Sequence, residues 1–167
     1  MYDELTEVDI KKMQDEIDYR VKVVRPKCLE DVKVARAFGD LSENFEYKAA
    51  KREKNRNDSR IRYLERMIKT AKVIKADSAD DVVGLFDKVT IYFEEDNEEA
   101  VYTLVTTVRQ NSTQGFLSKE SPLGKALMGK RAGDRVSIKV SDDYSYYVTI
   151  RKIEKGEDDP SLPISAY

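Results

Sequence analysis

The sequence predicts an α+β protein: an N-terminal antiparallel coiled-coil hairpin followed by a small, mostly antiparallel sheet domain with one short helix. Three observations carry this reading. Residues 1–75 hold a single glycine and a single proline, Gly39 and Pro26, whereas the remainder holds six glycines and three prolines, the residues that punctuate turns. Apolar residues before position 75 recur at steps of three and four, the period of one helical face. After residue 82 the step falls to two, as in half-buried strands.

In the first run Ile10, Met13, Ile17, Val21, Val24, Cys28, Val32 and Ala35 form one stripe. Pro26 lies within it and is expected to kink the helix, with Arg25 pushed out of the αR region. The second run repeats the pattern through Tyr47, Ala50, Lys54, Asn57, Ile61, Leu64, Ile68 and Ala71, an a/d seam that is polar at Lys54 and Asn57. Two helices of ~30 residues, each ~45 Å long, joined by a short segment around Gly39, make a hairpin. Gly39 is the expected breaker of the first helix, and Asp40 or Ser42 the expected N-cap of the second. If that helix starts by Leu41 or Ser42, Asp40 and Glu43 share one side of the tip. Cys28, on the apolar stripe, is read as a small core residue.

The join falls in Ala76–Asp81, a short polar stretch. Beyond it Val89, Ile91 and Phe93 alternate with Lys88, Thr90 and Tyr92, followed by Tyr102 and Leu104, by Val136, Ile138 and Val140, and by Val148 and Ile150. Ser121-Pro122 through Gly129 reads as a short helix, with Ser at the N-cap, Pro at N1 and Gly past the end; Gly124, Gly129 and Gly133 are read as turn and helix-end glycines. The expected organisation is a hairpin over 1–76, a sheet domain over 82–155 and a mobile tail over 156–167.

Composition limits the chemistry. Of 167 residues 37% are charged, with no His, no Trp and one Cys, against ~25% charged in an average domain. A His-dependent nucleophile, an imidazole or thiolate metal site and a disulfide framework are thereby excluded. Catalysis has to rest on carboxylates, Lys, Arg, Tyr or borrowed groups. The N-terminus lacks a basic start and an apolar run of signal-peptide length, and no stretch reaches the ~20 apolar residues of a membrane span. The expected compartment is the cytoplasm, with no membrane partner.

A net charge of −2 conceals segregation: residues 1–43 carry −3, residues 44–75 carry +7, and residues 76–167 carry −6. In 44–75 eleven cations face only Glu46, Glu53, Asp58 and Glu65. A solvated helix face accounts for some of that excess, while a polyanion or an acidic groove as partner accounts for its size. The tip carboxylates also have two readings. Asp, Ser and Glu at a helix start cap it and suit its dipole. Alternatively, two carboxylates on a turn far from any core complete a Mg²⁺ site held partly by another molecule, because this ion retains waters and shares ligands with phosphates.

The string from Ala35 to Lys51, with Arg36, Gly39, Asp40, Leu41, Glu43, Asn44, Glu46, Tyr47, Ala49 and Ala50 in place, resembles the tip signature of the bacterial Gre transcript-cleavage factors. Leu117-Ser118, then Ser121-Pro122-Leu123-Gly124-Lys125-Ala126-Leu127-Met128-Gly129-Lys130 and Gly133-Asp134-Arg135-Val136, resemble the family's second motif, and the likeness spans roughly residues 5–154. The resemblance implies a coiled-coil hairpin with an FKBP-like C-terminal domain. It also implies binding to RNA polymerase, with the hairpin in the secondary channel, and contact with the nascent RNA 3′ end of a backtracked complex. The chain would then be a monomer and not itself an enzyme. It would stimulate the polymerase's own Mg²⁺-dependent cleavage, with Asp40 and Glu43 as the catalytic carboxylates, ligands to a second Mg²⁺ shared with polymerase. Gly39, Leu41 and Asn44 would scaffold the tip, and Arg36, Lys48, Lys51, Arg52 and Arg56 would contact RNA or channel wall.

Several positions depart from the family pattern. Leu41 and Ala49-Ala50 resemble the GreA branch, Arg60–Leu64 and the basic face the GreB branch, which leaves cleavage length open. Thr106–Asn111 lacks the family's glycine and acidic residues after the strand, Phe45 replaces a smaller residue beside the tip, and the extension after Glu154 has no counterpart. Three other functions compete: a Gre-like channel inhibitor, against which the retained Asp40 and Glu43 argue; a non-catalytic coiled-coil adaptor or chaperone; and a prolyl isomerase, suggested by the implied fold alone.

Overall fold

The computed structural model describes residues 3–39 and 43–166, which fall into two compact units: residues 10–71, and residues 3–9 together with everything from Lys72 onward. The segment 3–9, expected to belong with the hairpin, therefore groups with the sheet.

The first unit contains most of α1 (Glu7–Tyr19), a π-helical stretch (Arg20–Val24), α2 (Arg25–Arg36) and α3 (Phe45–Thr70). Partners descend along one run as they ascend along the other. Asn44 meets Ala35, Asp58 meets Arg25, and Arg60 meets Glu16, so the helices are antiparallel. The predicted stripe is the packed face: Met13, Ile17, Cys28, Ala35, Ile61 and Leu64 are buried. Tyr47, Ala50, Lys54 and Ile68 are half-buried at its margins.

The polar seam position is built as a network. Buried Asn57 accepts from Arg20 Nη1 at 3.0 Å and donates to the Arg20 carbonyl at 3.3 Å. Glu16 receives Arg60 Nε at 2.7 Å and Nη2 at 3.2 Å, and Arg20 Nε at 2.8 Å. Burial alone would raise the Glu16 carboxyl; the hydrogen bonds from Arg60 and then Arg20 outweigh it and hold the group below the ordinary carboxylate range. A polar layer of this kind fixes register at some cost in stability.

Arg25 is not displaced from helical geometry. It has φ −59° and ψ −49°, and the accommodation to Pro26 occurs upstream instead. The Arg25 N–H bonds to the Arg20 carbonyl, five residues back, so the preceding turn is widened. A proline ring crowds the carbonyl four residues before it and offers no N–H; a π turn is a recognised way to relieve both within a continuous helix.

The second unit opens with β1 (Glu4–Leu5), which pairs in parallel with β2 (Lys72–Val73). A five-stranded sheet follows, built from β3 (Lys88–Phe93), β4 (Glu98–Val105), β5 (Phe116–Ser118), β6 (Arg135–Lys139) and β7 (Ser145–Glu154) in the order β5-β4-β3-β7-β6. Three pairings are antiparallel, but β4 and β5 run parallel, Thr103 opposite Phe116. The sheet is thus mixed, because two 3₁₀ turns, Thr107–Arg109 and Ser112–Gln114, carry the chain back to the start of β4's neighbouring edge. Val89, Ile91, Leu104, Val136, Ile138, Val148 and Ile150 form the core with Val83 and Leu127. Val140, expected to continue β6, lies beyond it and is exposed.

Helix α4 (Pro122–Leu127) is capped as expected: the Ser121 hydroxyl accepts the Gly124 N–H at 3.0 Å. Gly124 is not a helix-end residue. It lies inside α4, where a Cβ would fall 2.1 Å from the Ser118 carbonyl, so glycine is what lets the helix press against β5.

Segment 156–166, expected to be mobile, is held. Arg109, fully buried, forms an ion pair with buried Asp9, a second with Asp158 at 2.5 Å, and donates to the Asp159 carbonyl at 3.1 Å. The Thr6 hydroxyl donates to Asp158 at 2.6 Å. Thr6 and Asp9 also cap each other reciprocally at the start of α1, through the Thr6 N–H at 2.9 Å and the Asp9 N–H at 3.3 Å, the capping-box arrangement. Further on, Ser165 bonds to the carbonyls of Val108 and Gln110.

Candidate functional site at the hairpin tip

Helix α2 ends by tightening: the Ala37 and Phe38 N–H groups bond three residues back, to Val34 and Ala35. Gly39 follows with φ +132°, a conformation that side chains rarely adopt. Asp40 and Leu41, the first catalytic and second scaffold positions expected from the sequence, lie outside the described residues, as does Ser42.

Helix α3 begins later than expected. Its N-cap is Asn44, whose Oδ1 accepts the Tyr47 N–H at 3.0 Å. The Asn44 amide also donates to the Ala35 carbonyl at 2.7 Å. Neither Asp40 nor Ser42 holds that position, and Glu43 sits on the turn before the helix rather than on its surface. Glu43 is exposed. Glu46 follows in the first turn of α3, where a negative charge suits the helix dipole. Phe38, Glu43, Asn44, Phe45 and Glu46 line a shallow concavity.

The signal for the cap was present in the sequence, since Asn is among the strongest N-cap residues, but Asp40 and Ser42 competed with it within five positions. Phe45 was noted beside the tip from the sequence, but the exposure of two rings there was not anticipated. Phe38 and Phe45 are 70% and 81% exposed, so large apolar rings flank the carboxylate instead of packing inward.

The expected basic contacts lie behind the tip. Arg36 is exposed, with its guanidinium 5.5 Å from the Tyr47 ring centroid; its hydrogen bond holds the Tyr47 phenol below its ordinary range. Lys48 lies 5.7 Å from the Phe45 centroid. Lys51 and Arg52 are exposed and join no ion pair among the described residues. Arg56 pairs with Glu53 at 3.1 Å, both well exposed, a contact worth little in water. Arg60 leaves the basic face altogether, since it is buried against Glu16.

One unit of the chain is thus a two-helix hairpin with a carboxylate on its turn and a basic face behind it, and the other is a mixed sheet. Residues 4–73 match the family model described as "Transcription elongation factor, N-terminal", and residues 78–155 match that of "Transcription elongation factor, GreA/GreB, C-term". The chain belongs to the GreA/GreB family of transcription elongation factors. It is 45% identical over 137 residues to transcription elongation factor GreA of Thermoanaerobacter pseudethanolicus, covering 81% of this chain and 87% of the relative. The GreA of Oenococcus oeni is 36% identical over 154 residues, covering 92% and 95%. Among solved structures, GreA factor homolog 1 of Thermus thermophilus is similar at 22% identity and a TM-score of 0.43, over 93% of this chain and 100% of that one. Among the described residues no helix is long and apolar enough to cross a membrane.

Proposed function

We propose that this elongation factor acts inside RNA polymerase, with the hairpin in the secondary channel. There Asp40 and Glu43 promote the polymerase's own Mg²⁺-dependent endonucleolytic cleavage of nascent RNA in backtracked or arrested complexes. The observation that carries this reading is the placement of Glu43: an exposed carboxylate on the turn of a two-helix hairpin, beside a residue, Asn44, that ties both helices together. Asp40 stands three positions earlier in the sequence and is the second carboxylate.

The donor chemistry fits Mg²⁺. Carboxylate oxygens are hard ligands, and this ion is commonly held by one or two carboxylates with waters and substrate phosphates. Among the described residues no group of three or more His, Cys, Asp or Glu side chains comes together to hold an ion. On this reading Asp40 and Glu43 would share an ion whose other ligands belong to polymerase and RNA. When bound, Mg²⁺ lowers the pKa of a coordinated water and offsets charge developing on the phosphodiester.

The chain's own residues do the remaining work. Asn44 and Gly39 set the turn, with Leu41 completing the scaffold. Arg36, Lys48, Lys51, Arg52 and Arg56 supply positive charge along the route of the extruded RNA 3′ end, where each phosphate contact adds a salt-sensitive increment of affinity. On this reading the chain works as a monomer in the cytoplasm and is no nuclease in isolation.

The test uses a stalled, backtracked elongation complex with Mg²⁺ and RNA labelled at its 5′ end. Wild-type protein yields shortened labelled fragments; Asp40→Asn and Glu43→Gln still bind polymerase and yield none. Normal cleavage by both variants would remove the tip assignment. Slowed nucleotide addition without cleavage by the wild type would make the chain an inhibitor instead.

A further inference from the structure

We propose that the end of the sheet formed by the β3–β4 and β6–β7 turns receives an arginine side chain from a basic peptide segment of a partner protein. This proposal concerns the sheet unit and does not rest on the tip.

Strand register assembles the recess. Phe93 closes β3 opposite Val148, and Tyr146 lies in β7 opposite Ile138. Their rings stack with centroids 6.1 Å apart and planes at 29°. Tyr144, just before β7, places its ring 6.3 Å from that of Tyr146. With Tyr147, Glu95 and Asp96 these rings line a recess of about 160 Å³, the room of about five waters at ~30 Å³ each and enough for a planar guanidinium.

The chemistry of the lining favours a cation. Aromatic faces carry negative quadrupole density, and residues 94–99 add five carboxylates and no basic group. Glu95 accepts the Tyr144 hydroxyl at 2.6 Å, a hydrogen bond that raises the Tyr144 phenol above its ordinary range. The Asp96 carboxylate accepts no hydrogen bond and joins no ion pair among the described residues. The neighbouring cations are already engaged. Lys139 pairs with Asp142 at 3.4 Å, and Arg135 binds Glu94 through two bonds of 2.7 and 2.9 Å.

The same strands show what such a set holds. Arg135 lies 3.7 Å from the Tyr147 centroid while paired with Glu94. Arg151 lies 4.1 Å from the Tyr92 centroid while paired with Glu99 at 2.6 Å. Twice, then, a tyrosine ring and a glutamate share an arginine of this chain. Tyr144 and Tyr146 with Glu95 and Asp96 form a third set of the same kind, and among the described residues the chain places no arginine in it. Arginine suits it better than lysine, because the guanidinium stacks on a ring and offers carboxylates a planar fork.

The test follows amide signals of the full-length chain titrated with a blocked pentapeptide, one central arginine among glycines. Controls are the same peptide with citrulline, an uncharged isostere, and guanidinium chloride. The expected result is a saturable shift confined to residues 93–97 and 141–147, at least tenfold weaker with citrulline and weaker again with guanidinium alone. Tyr144→Ala and Asp96→Asn, both at exposed positions, should each weaken it at least threefold while the rest of the spectrum stays unchanged. Equal binding of the citrulline peptide, or undiminished binding by the double variant, would overturn the site. Guanidinium binding as tightly as the peptide would overturn the assignment to a peptide arginine.

Discussion

The Asn44 amide donates to the Ala35 carbonyl across the turn at 2.7 Å while its Oδ1 accepts the Tyr47 N–H at 3.0 Å, so one side chain closes α2 and opens α3. Replacing Asn44 with Ala removes an N-cap worth about 1 kcal/mol and a clasp between the helices. Hydrogen exchange at the Tyr47 amide should quicken about fivefold or more. Asn44→Asp keeps the acceptor but loses the donor, so it should protect Tyr47 while freeing the Ala35 side. Unchanged exchange in Asn44→Ala would show that the turn is fixed by other contacts.

The hairpin should carry an acid-sensitive increment of stability centred on Glu16. Its carboxyl is held below the ordinary range in the folded chain, so the contribution is present above the unfolded value of ~4.3 and is lost as pH falls through the folded value. Melting followed by circular dichroism should therefore lose part of its Tm below about pH 4, and Glu16→Gln should flatten that part of the curve while lowering the plateau. Arg60→Ala, which leaves Glu16 with Arg20 as its remaining partner, should cost about 1–2 kcal/mol at neutral pH.

These two elements differ in how far they could be read in advance. The seam from Ile10 to Ala35, and its return through Ile61 and Leu64, was legible because burial imposes a period on sequence. So were Val89 and Ile91 against Val148 and Ile150. The cap was not, since Asp40, Ser42 and Asn44 offer the same chemistry within five positions and only the closed turn selects among them. The parallel β4–β5 pair follows an excursion of 3₁₀ turns with no period of its own. Arg109 reads as one more surface cation in a polar loop, because its carboxylates stand 100 and 49 positions away at Asp9 and Asp158. The roles of Asp40 and Glu43 came from the family motif; their spacing alone also suits ordinary capping.

The contacts of Arg109 make the C-terminal extension part of the sheet unit's stability. Asp158→Asn weakens one charged bond and should cost about 1–3 kcal/mol in urea denaturation. Arg109→Ala leaves Asp9 buried without its partner and should cost about 3–5 kcal/mol. Limited proteolysis should cut between 156 and 166 much faster in Arg109→Ala than in the wild type. Equal cutting would mean that the remaining bonds, from Thr6 to Asp158 and from Ser165 to Val108 and Gln110, suffice to hold the tail.

On the proposed function, Lys51 and Arg52, exposed cations behind the tip, should matter in proportion to the length of RNA extruded. Lys51→Gln with Arg52→Gln should slow cleavage of long-backtracked complexes severalfold and leave short ones nearly unaffected. The difference should shrink as salt is raised from 50 to 200 mM. An equal effect at both lengths would assign these residues to the channel wall.

The widened turn at Arg20–Val24 bears on how the chain can change length. Each residue of an α-helix advances about 100° around the axis, so an insertion elsewhere in α1 or α2 would rotate one half of the stripe away from Asn57 and Arg60. A π turn holds a surplus residue without transmitting that rotation. With Pro26→Ala in place, removing one residue there should restore ordinary winding with both flanking faces still aligned. A change in hairpin length is thus absorbed at this turn with least disturbance to the seam.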